Sequence, residues 1–380
     1  MRPDTATTIR RALLSRGEGV DVGAVRDAAA ANGFVVDELT ASALANGFTA
    51  ELRGYGPLEP FLTDPSVTDV VVNGAHEVWV DRGDGMSLTG VRFSDDRAVR
   101  RLAQRLAAGC GRRLDDAAAF VDAPLPAGVR LHAVLPPLAD RVSVSLRIPR
   151  HRAWSMADLT ASGMLSARTC DELVALVRRR VSFVISGGTG SGKTTLLNSL
   201  LAEVAATERV VIVEDTRELA PRHPHVVSLQ TRAPNIERAG AVTLQDLVRQ
   251  TLRMRPDRIV VGEVRGGEVI DLLTALNTGH RGGCTTVHAN SAPDVVARFE
   301  ALASLASVTP AALAPLLGAG LEAVVHLRRD SSGRRSVGEL AVLVPTSERV
   351  VVMPAFHVDE SGDLVADDGA PRWRDLVGEP

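Results

Sequence analysis

One lysine stands among the 43 basic side chains of this 380-residue sequence, and it lies in GGTGSGKT, residues 187–194. Every other cation is an arginine. Together with abundant Ala, Gly and Val, this drift fits a GC-rich genome in which arginine replaces lysine wherever it will serve. A compact ammonium reaches a phosphate as a point charge where a planar guanidinium is too broad, so Lys193 marks a crowded phosphate cradle. The octapeptide matches G-x-x-x-x-G-K-[ST], follows the strand-like run VSFVIS and opens the helical run TTLLNSLLAEV, the two contexts that the motif requires. Glycines let the backbone wrap close to phosphates, amide groups point inward, and a helix N-terminus favours anions. The expected nucleotide contacts are Gly188, Thr189, Gly190, Ser191, Gly192, Lys193, Thr194 and Thr195, with Lys193 on the β- and γ-phosphates and Thr194 on Mg²⁺.

Two acidic stretches follow. VVIVEDTRELA places Glu214, Asp215 and Glu218 where a strand leaves its sheet, the crevice in which open α/β sheets bind ligands. Carboxylates there can orient a water or hold a metal's hydration shell. DRIVVGEVRGGE delivers Glu263 after a second apolar run, a placement that suits Mg²⁺ binding through water. TGHRGGCTTVHANS adds His280 and His288, eight residues apart with no third ligand nearby, and so polar reporters of a γ-phosphate rather than a metal pair.

The elements that must position these groups are legible as short continuous apolar runs: VSFVISG, VVIVED, RIVVGE, CTTVHA and AVVHLRR. Separated by helical patterns, such runs indicate a parallel sheet buried on both faces, hence a nucleotide-binding core. Ahead of it, residues 53–150 read as a smaller α/β domain. TDVVVNGAHEVWVD is expected to form a hairpin around Asn73-Gly74, DDRAVRRLAQRLAAGCG an amphipathic helix ending at glycine, and VRLHAVLPPLADRVSVSLRIPR two strands. Residues 1–52 suggest short helices broken at Gly17, Gly19 and Asn32-Gly33. Residues 151–165 read as a linker, 166–360 as the nucleotide-binding domain and 361–380 as a loosely ordered tail.

Composition narrows the functions. Aromatics make up 3% and the net charge is -3, which argues against a base-stacking, basic nucleic-acid channel. Cys110, Cys170 and Cys284 are odd in number and far apart, so they read as reduced thiols of a cytoplasmic protein with no zinc site. No run reaches the roughly 18 apolar residues of a membrane span, so membrane association is expected through partners.

The combination of YGPLEPFLTDPSVTDVVVNG, GGTGSGKTTLLNSL, EDTRE, LQTRAPNIERAGAVTLQDLVRQTLRMRPDRIVVGEVRGGE and TGHRGGCTTVHANS resembles the secretion ATPases of the type II/type IV superfamily, over roughly residues 54–345. Within it the sequence is most similar to the TadA/CpaF branch that powers tight-adherence (Flp-type) pilus assembly. The resemblance implies a RecA-like P-loop core and hydrolysis of ATP to ADP and phosphate by a homo-hexamer. That ring would sit at the inner face of the cytoplasmic membrane, working with pilus or secretion platform proteins. It assigns Lys193 and Thr194 to the Walker A pair, Glu263 to the Walker B acid, Glu218 to water orientation and His288 to a histidine box. It also implies nucleotide contacts from Arg130 and Arg147, with Arg232 a further candidate. Two readings from other classes stay open: a nucleic-acid translocase on the same core, and a nucleotide-sensing scaffold without turnover. A guanine-nucleotide switch is disfavoured because the sole lysine leaves none for an N-K-x-D element.

Overall fold

The computed structural model describes residues 5, 8–9, 12–13, 21–83, 85–149, 154–232, 234, 239–347, 349–359 and 362–378. The expected breaks at Gly17 and Gly19, much of the first helical segment, the start of the expected linker and part of the LQTRAPNIERAG stretch lie outside the described residues. The chain divides into two compact units, Met1–His151 and Arg152–Pro380.

In the first unit, helix Val22–Ala31 begins at Asp21, whose carboxylate accepts the Ala24 amide at 2.8 Å, and ends at Asn32 with Gly33 in the left-handed region. Helix Glu38–Arg53 follows. Six strands form one antiparallel sheet: β1 (Asp69–Asn73), β2 (Val78–Asp81), β3 (Met86–Leu88), β4 (Phe120–Pro124), β5 (Arg130–Val134) and β6 (Ser143–Arg147), in the order β3-β2-β1-β6-β5-β4. Alternate residues of β1 and β6 are buried, as a sheet with one covered face requires. Helix Asp96–Gly109 buries Val99, Leu102, Ala103, Leu106 and Ala107 in the same core. The β1–β2 turn is longer than an Asn-Gly hairpin. It runs over Gly74–Glu77 and is closed by the Asn73 amide on Glu77 O at 2.8 Å, because Asp96 holds the Ala75 amide at 2.7 Å and draws the turn toward the helix. Strands β3 and β4 lie at the two edges, and no alternating apolar pattern in the sequence announces them.

In the second unit, nine strands form one sheet: β7 (Phe183–Gly187), β8 (Val210–Glu214), β9 (Val226–Gln230), β10 (Arg258–Val261), β11 (Cys284–Val287), β12 (Ala323–Arg329), β13 (Arg335–Pro345), β14 (Val350–Val358) and β15 (Leu364–Ala366). Their order is β15-β14-β13-β12-β7-β11-β10-β8-β9. The six from β12 to β9 are parallel; β13, β14 and β15 are antiparallel additions. Every residue of β7, β8, β10 and β11 is buried, which explains why these strands show no apolar–polar alternation. Phe183 and Ile185 pack in one core with helices Ala167–Arg178, Lys193–Leu201 and Ala370–Val377. Val184 packs in a second core with helices Leu244–Thr251, Glu268–Asn277, Asp294–Leu305 and Pro310–Gly320.

Two segments differ from expectation. Within the stretch read as a linker, Ser155 and Asp158 form a capping box for helix Met156–Ala161, and Met156, Leu159, Met164 and Leu165 enter the first of these cores. The stretch read as a loose tail forms β15 and helix Ala370–Val377, with Ala370, Trp373 and Val377 buried on one helical face. The indole of Trp373 donates to Glu172 at 2.8 Å and meets Phe356 edge-on. Three apolar residues at helical spacing suffice to dock a segment whose overall composition is polar.

Candidate functional site

Parallel strands point their C-terminal ends the same way, so β7, β8, β10 and β11 deliver their following loops to one edge of the sheet. Beyond β7 the chain turns through Gly187, Gly190 and Gly192, with φ of 147°, 71° and 97°. A Cβ on Gly187 would stand 2.6 Å from Leu327 O and 2.8 Å from Ser191 Oγ, so side chains there would fill the cradle. Gly192 caps helix Lys193–Leu201 without a side-chain bond, which leaves the helix's first amides open to an anion.

Lys193 is 8% exposed, and its Nζ donates to Gly187 O and Gly188 O, each at 2.8 Å. Burial pushes its pKa down, opposed by the charge of Glu263. The ammonium thus lies inside its own loop. Val287 of β11 pairs with Ser186 of β7, so the next residue, His288, emerges beside the loop with Nδ1 3.3 Å from Lys193 Nζ. On the other side of the ring, Nε2 lies 2.7 Å from Glu263 Oε1, an approach off the line of a hydrogen bond, since that buried oxygen has no aligned donor. Glu263 Oε2 accepts Arg265 Nε at 2.8 Å. Burial works against the Arg265 charge, but its hydrogen bond and ion pair with Glu263 raise the guanidinium pKa, with further support from Asp215 and Glu218. Lys193, His288, Glu263 and Arg265 therefore form one continuous run of contacts drawn from three loops.

The acidic stretch after β8 divides its labour. Glu214 is 5% exposed, and its Oε1 accepts the amides of Glu218 and Leu219, both at 3.0 Å, folding the loop back on the strand. It reaches this position because Gly262 has no side chain: a Cβ there would stand 2.7 Å from Glu214 Cγ. Burial raises the Glu214 carboxyl to about 7. Asp215 and Glu218 are exposed. Glu214 is a buried anchor for the loop, whereas Glu218 faces solvent as a carboxylate can when it acts on water.

Ser191 Oγ is buried with no hydrogen-bond partner, and Thr194 and Thr195 are half-buried at the helix start. An orphaned hydroxyl, open helix amides and an ammonium resting on carbonyls together suit a triphosphate. Among the described residues no three His, Cys, Asp or Glu side chains gather as a metal-ligand set, so Mg²⁺ at this site would rest on Thr194, Glu263 and the phosphates.

The sequence pattern of the family described as Type II/IV secretion system protein matches residues 51–354. The chain belongs to that family. It is 50% identical over 327 residues to a putative conjugal transfer protein of Mycobacterium tuberculosis, covering 84% of this chain and 92% of that one. It is 33% identical over 279 residues to the conjugal transfer protein TrbB of Rhizobium radiobacter, covering 72% and 83%. Among solved structures, the Legionella pneumophila ATPase DotB superimposes with a TM-score of 0.53 at 20% identity, covering 77% and 80%, a likeness of fold. The second unit is thus the RecA-like core of a type II/IV secretion protein, and the first is its smaller α/β domain.

Within the second unit of this secretion protein, two expected residues stand apart from the cluster. His280 precedes β11 whereas His288 follows it, so the two sit at opposite ends of one strand; His280 Nδ1 lies 3.2 Å from Ala275 O in a local turn. Arg232 pairs with Val242, and its Nε donates to Gly240 O at 2.7 Å, closing the loop after β9. Arg130 and Arg147 face each other across β5 and β6 in the first unit. Sequence reading missed Arg265, two residues after Glu263, and Gly262, whose signal is a glycine directly before an acid at a strand end. It also missed Arg335, which donates from β13 to Gly190 O at 2.7 Å. The signal there was the turn DSSGR between paired arginines.

Proposed function

We propose that this chain hydrolyses ATP to ADP and phosphate and turns the released free energy into mechanical work for pilus assembly or protein secretion. It does so as a homo-hexamer with platform proteins at the inner face of the cytoplasmic membrane. The observation that carries the reading is the contact run Lys193–His288–Glu263–Arg265. A group poised for the triphosphate touches, through one imidazole, the carboxylate placed for Mg²⁺. Arrival of phosphate at Lys193 draws the ammonium from the loop carbonyls, and His288, which touches Lys193 and lies against Glu263, is the side chain placed to respond.

MgATP supplies the scissile anhydride and a cation that neutralises charge as it breaks. Lys193 and the amides of residues 188–195 hold the phosphates, Thr194 and Glu263 serve the metal, and Glu218 orients water. Arg130 and Arg147 are nucleotide contacts by resemblance alone. Among the described residues no helix is long and apolar enough to cross a membrane. The stretches quoted above favour the TadA/CpaF branch and a pilus as the product.

Purified protein is expected to release phosphate from ATP without stimulation by single-stranded DNA, to form ring-sized particles in mass photometry with ATP and Mg²⁺, and to lose turnover in Lys193→Ala. Host cells carrying Lys193→Ala should lack pili. Turnover that survives Lys193→Ala would sink the enzymatic reading, and stimulation by DNA would replace the pilus motor with a translocase.

A further inference from the structure

Strand β12 runs parallel to β7 with Leu327 beside Gly187, so the chain leaving β12 passes next to the phosphate loop. Two residues on, Arg329 pairs with Arg335 of β13. The turn between them is held by Asp330: its Oδ1 accepts the Arg334 amide at 2.9 Å and Ser332 Oγ at 2.6 Å, and its carbonyl accepts the Gly333 amide at 3.0 Å. This fixed tip lays Arg335 across the loop. Its Nε donates to Gly190 O at 2.7 Å, and its Cδ lies 3.5 Å from where a Cβ on Gly192 would stand.

A peptide unit is planar and trans, so the Gly190 carbonyl and the Ser191 amide point to opposite sides of it. Ser191 N–H makes only a long 3.4 Å bond to Gly188 O, and Gly190, at φ 71°, has the freedom to let this peptide turn over. Gly188 O also accepts Lys193 Nζ, so the Ser191 amide and the ammonium share one acceptor. We propose that Arg335 is a positioning residue: by holding the Gly190 carbonyl outward it keeps the Ser191 amide turned inward, so the phosphate-binding amides are arranged before nucleotide arrives. This rests on the ATP reading of the same site. Pre-arrangement of a loop raises affinity by removing the cost of ordering it on binding.

The test compares Arg335→Met, which keeps the aliphatic stem beside Gly192 without a donor, with Arg335→Lys, which restores one, and with Arg328→Ala, a neighbour whose Nε donates to Ser336 Oγ at 3.2 Å. ATP and ADP affinities are measured by calorimetry, with steady-state turnover and thermal melts alongside. Arg335→Met should weaken both nucleotides about tenfold, the scale of a lost charge-assisted hydrogen bond. KM should rise in parallel, kcat should stay within about twofold, and the melting temperature should hold. Arg335→Lys should recover most of the loss and Arg328→Ala should match wild type. Wild-type affinity in Arg335→Met, equal losses in the Met and Lys variants, or an equal loss in Arg328→Ala would each overturn the proposal. Failure of the unaltered protein to bind ATP would instead overturn the function on which it rests.

Discussion

Lys193 and His288 are 95 residues apart in sequence and 3.3 Å apart in space, Nζ to Nδ1. An ammonium only donates, so Nδ1 is the acceptor and the imidazole proton belongs on Nε2, toward Glu263. One imidazole thus stands against both the phosphate-binding cation and the acid at the end of β10.

Burial first, and then the Lys193 charge, depress the His288 pKa below its ordinary 6.5. Above that depressed value the ring is neutral; below it a second cation forms beside Lys193. ATP turnover measured between about pH 5 and 8 should fall on the acid side, and in His288→Asn this limb should lose the imidazole's contribution. His288→Asn should also be slower at neutral pH by roughly tenfold or more, as expected for a charge-orienting group at a phosphoryl-transfer site. An unchanged acid limb in the variant would show that His288 does not set it.

Lys193 fits a space bounded by two loop carbonyls and an imidazole. Arginine keeps the charge but not the shape. Lys193→Arg is expected to lose ATP affinity by roughly tenfold to a hundredfold, the scale of misplaced charge-assisted hydrogen bonds. Calorimetry decides this, and wild-type affinity in the variant would show that the cradle is not crowded.

Glu214 carries a carboxyl raised from 4.5 to about 7 by burial. A folded-state pKa above the unfolded one means that the folded protein holds the extra proton. The associated stability is present below 4.5 and is lost as pH rises through about 7, a change on the order of 3 kcal/mol. Glu214→Gln keeps an acceptor for the Glu218 and Leu219 amides but cannot ionise. Urea unfolding across this window should show a falling stability in the wild type and a flatter profile in the variant; identical slopes would contradict the burial argument.

Trp373 is fully buried and donates its indole N–H to Glu172. Trp373→Phe keeps a ring against Phe356 but strands a buried carboxylate oxygen, which should cost about 1–3 kcal/mol. A thermal melt reads this as a drop of several degrees. No drop would mean that the C-terminal helix docks by shape alone.

What the sequence determined by itself is what short-range physics controls. The strand–loop–helix of residues 183–201 was legible because its glycines, its lone lysine and its flanking apolar runs are all local signals. The five short, mostly apolar runs announced a parallel sheet because burial on both faces leaves little polar alternation. Glu263 and His288 could be named as strand-end groups, but their meeting at 2.7 Å could not be, because it depends on β10 and β11 being neighbours in the order β7-β11-β10. Sequence order carries no record of that arrangement. The same reason hid Glu214 as a buried anchor beside Gly262, the docking of Trp373 on Glu172, and Arg335 over Gly190. Each is a polar or isolated residue whose partner lies far along the chain, and only the packed sheet, by excluding water and choosing neighbours, decides what it touches.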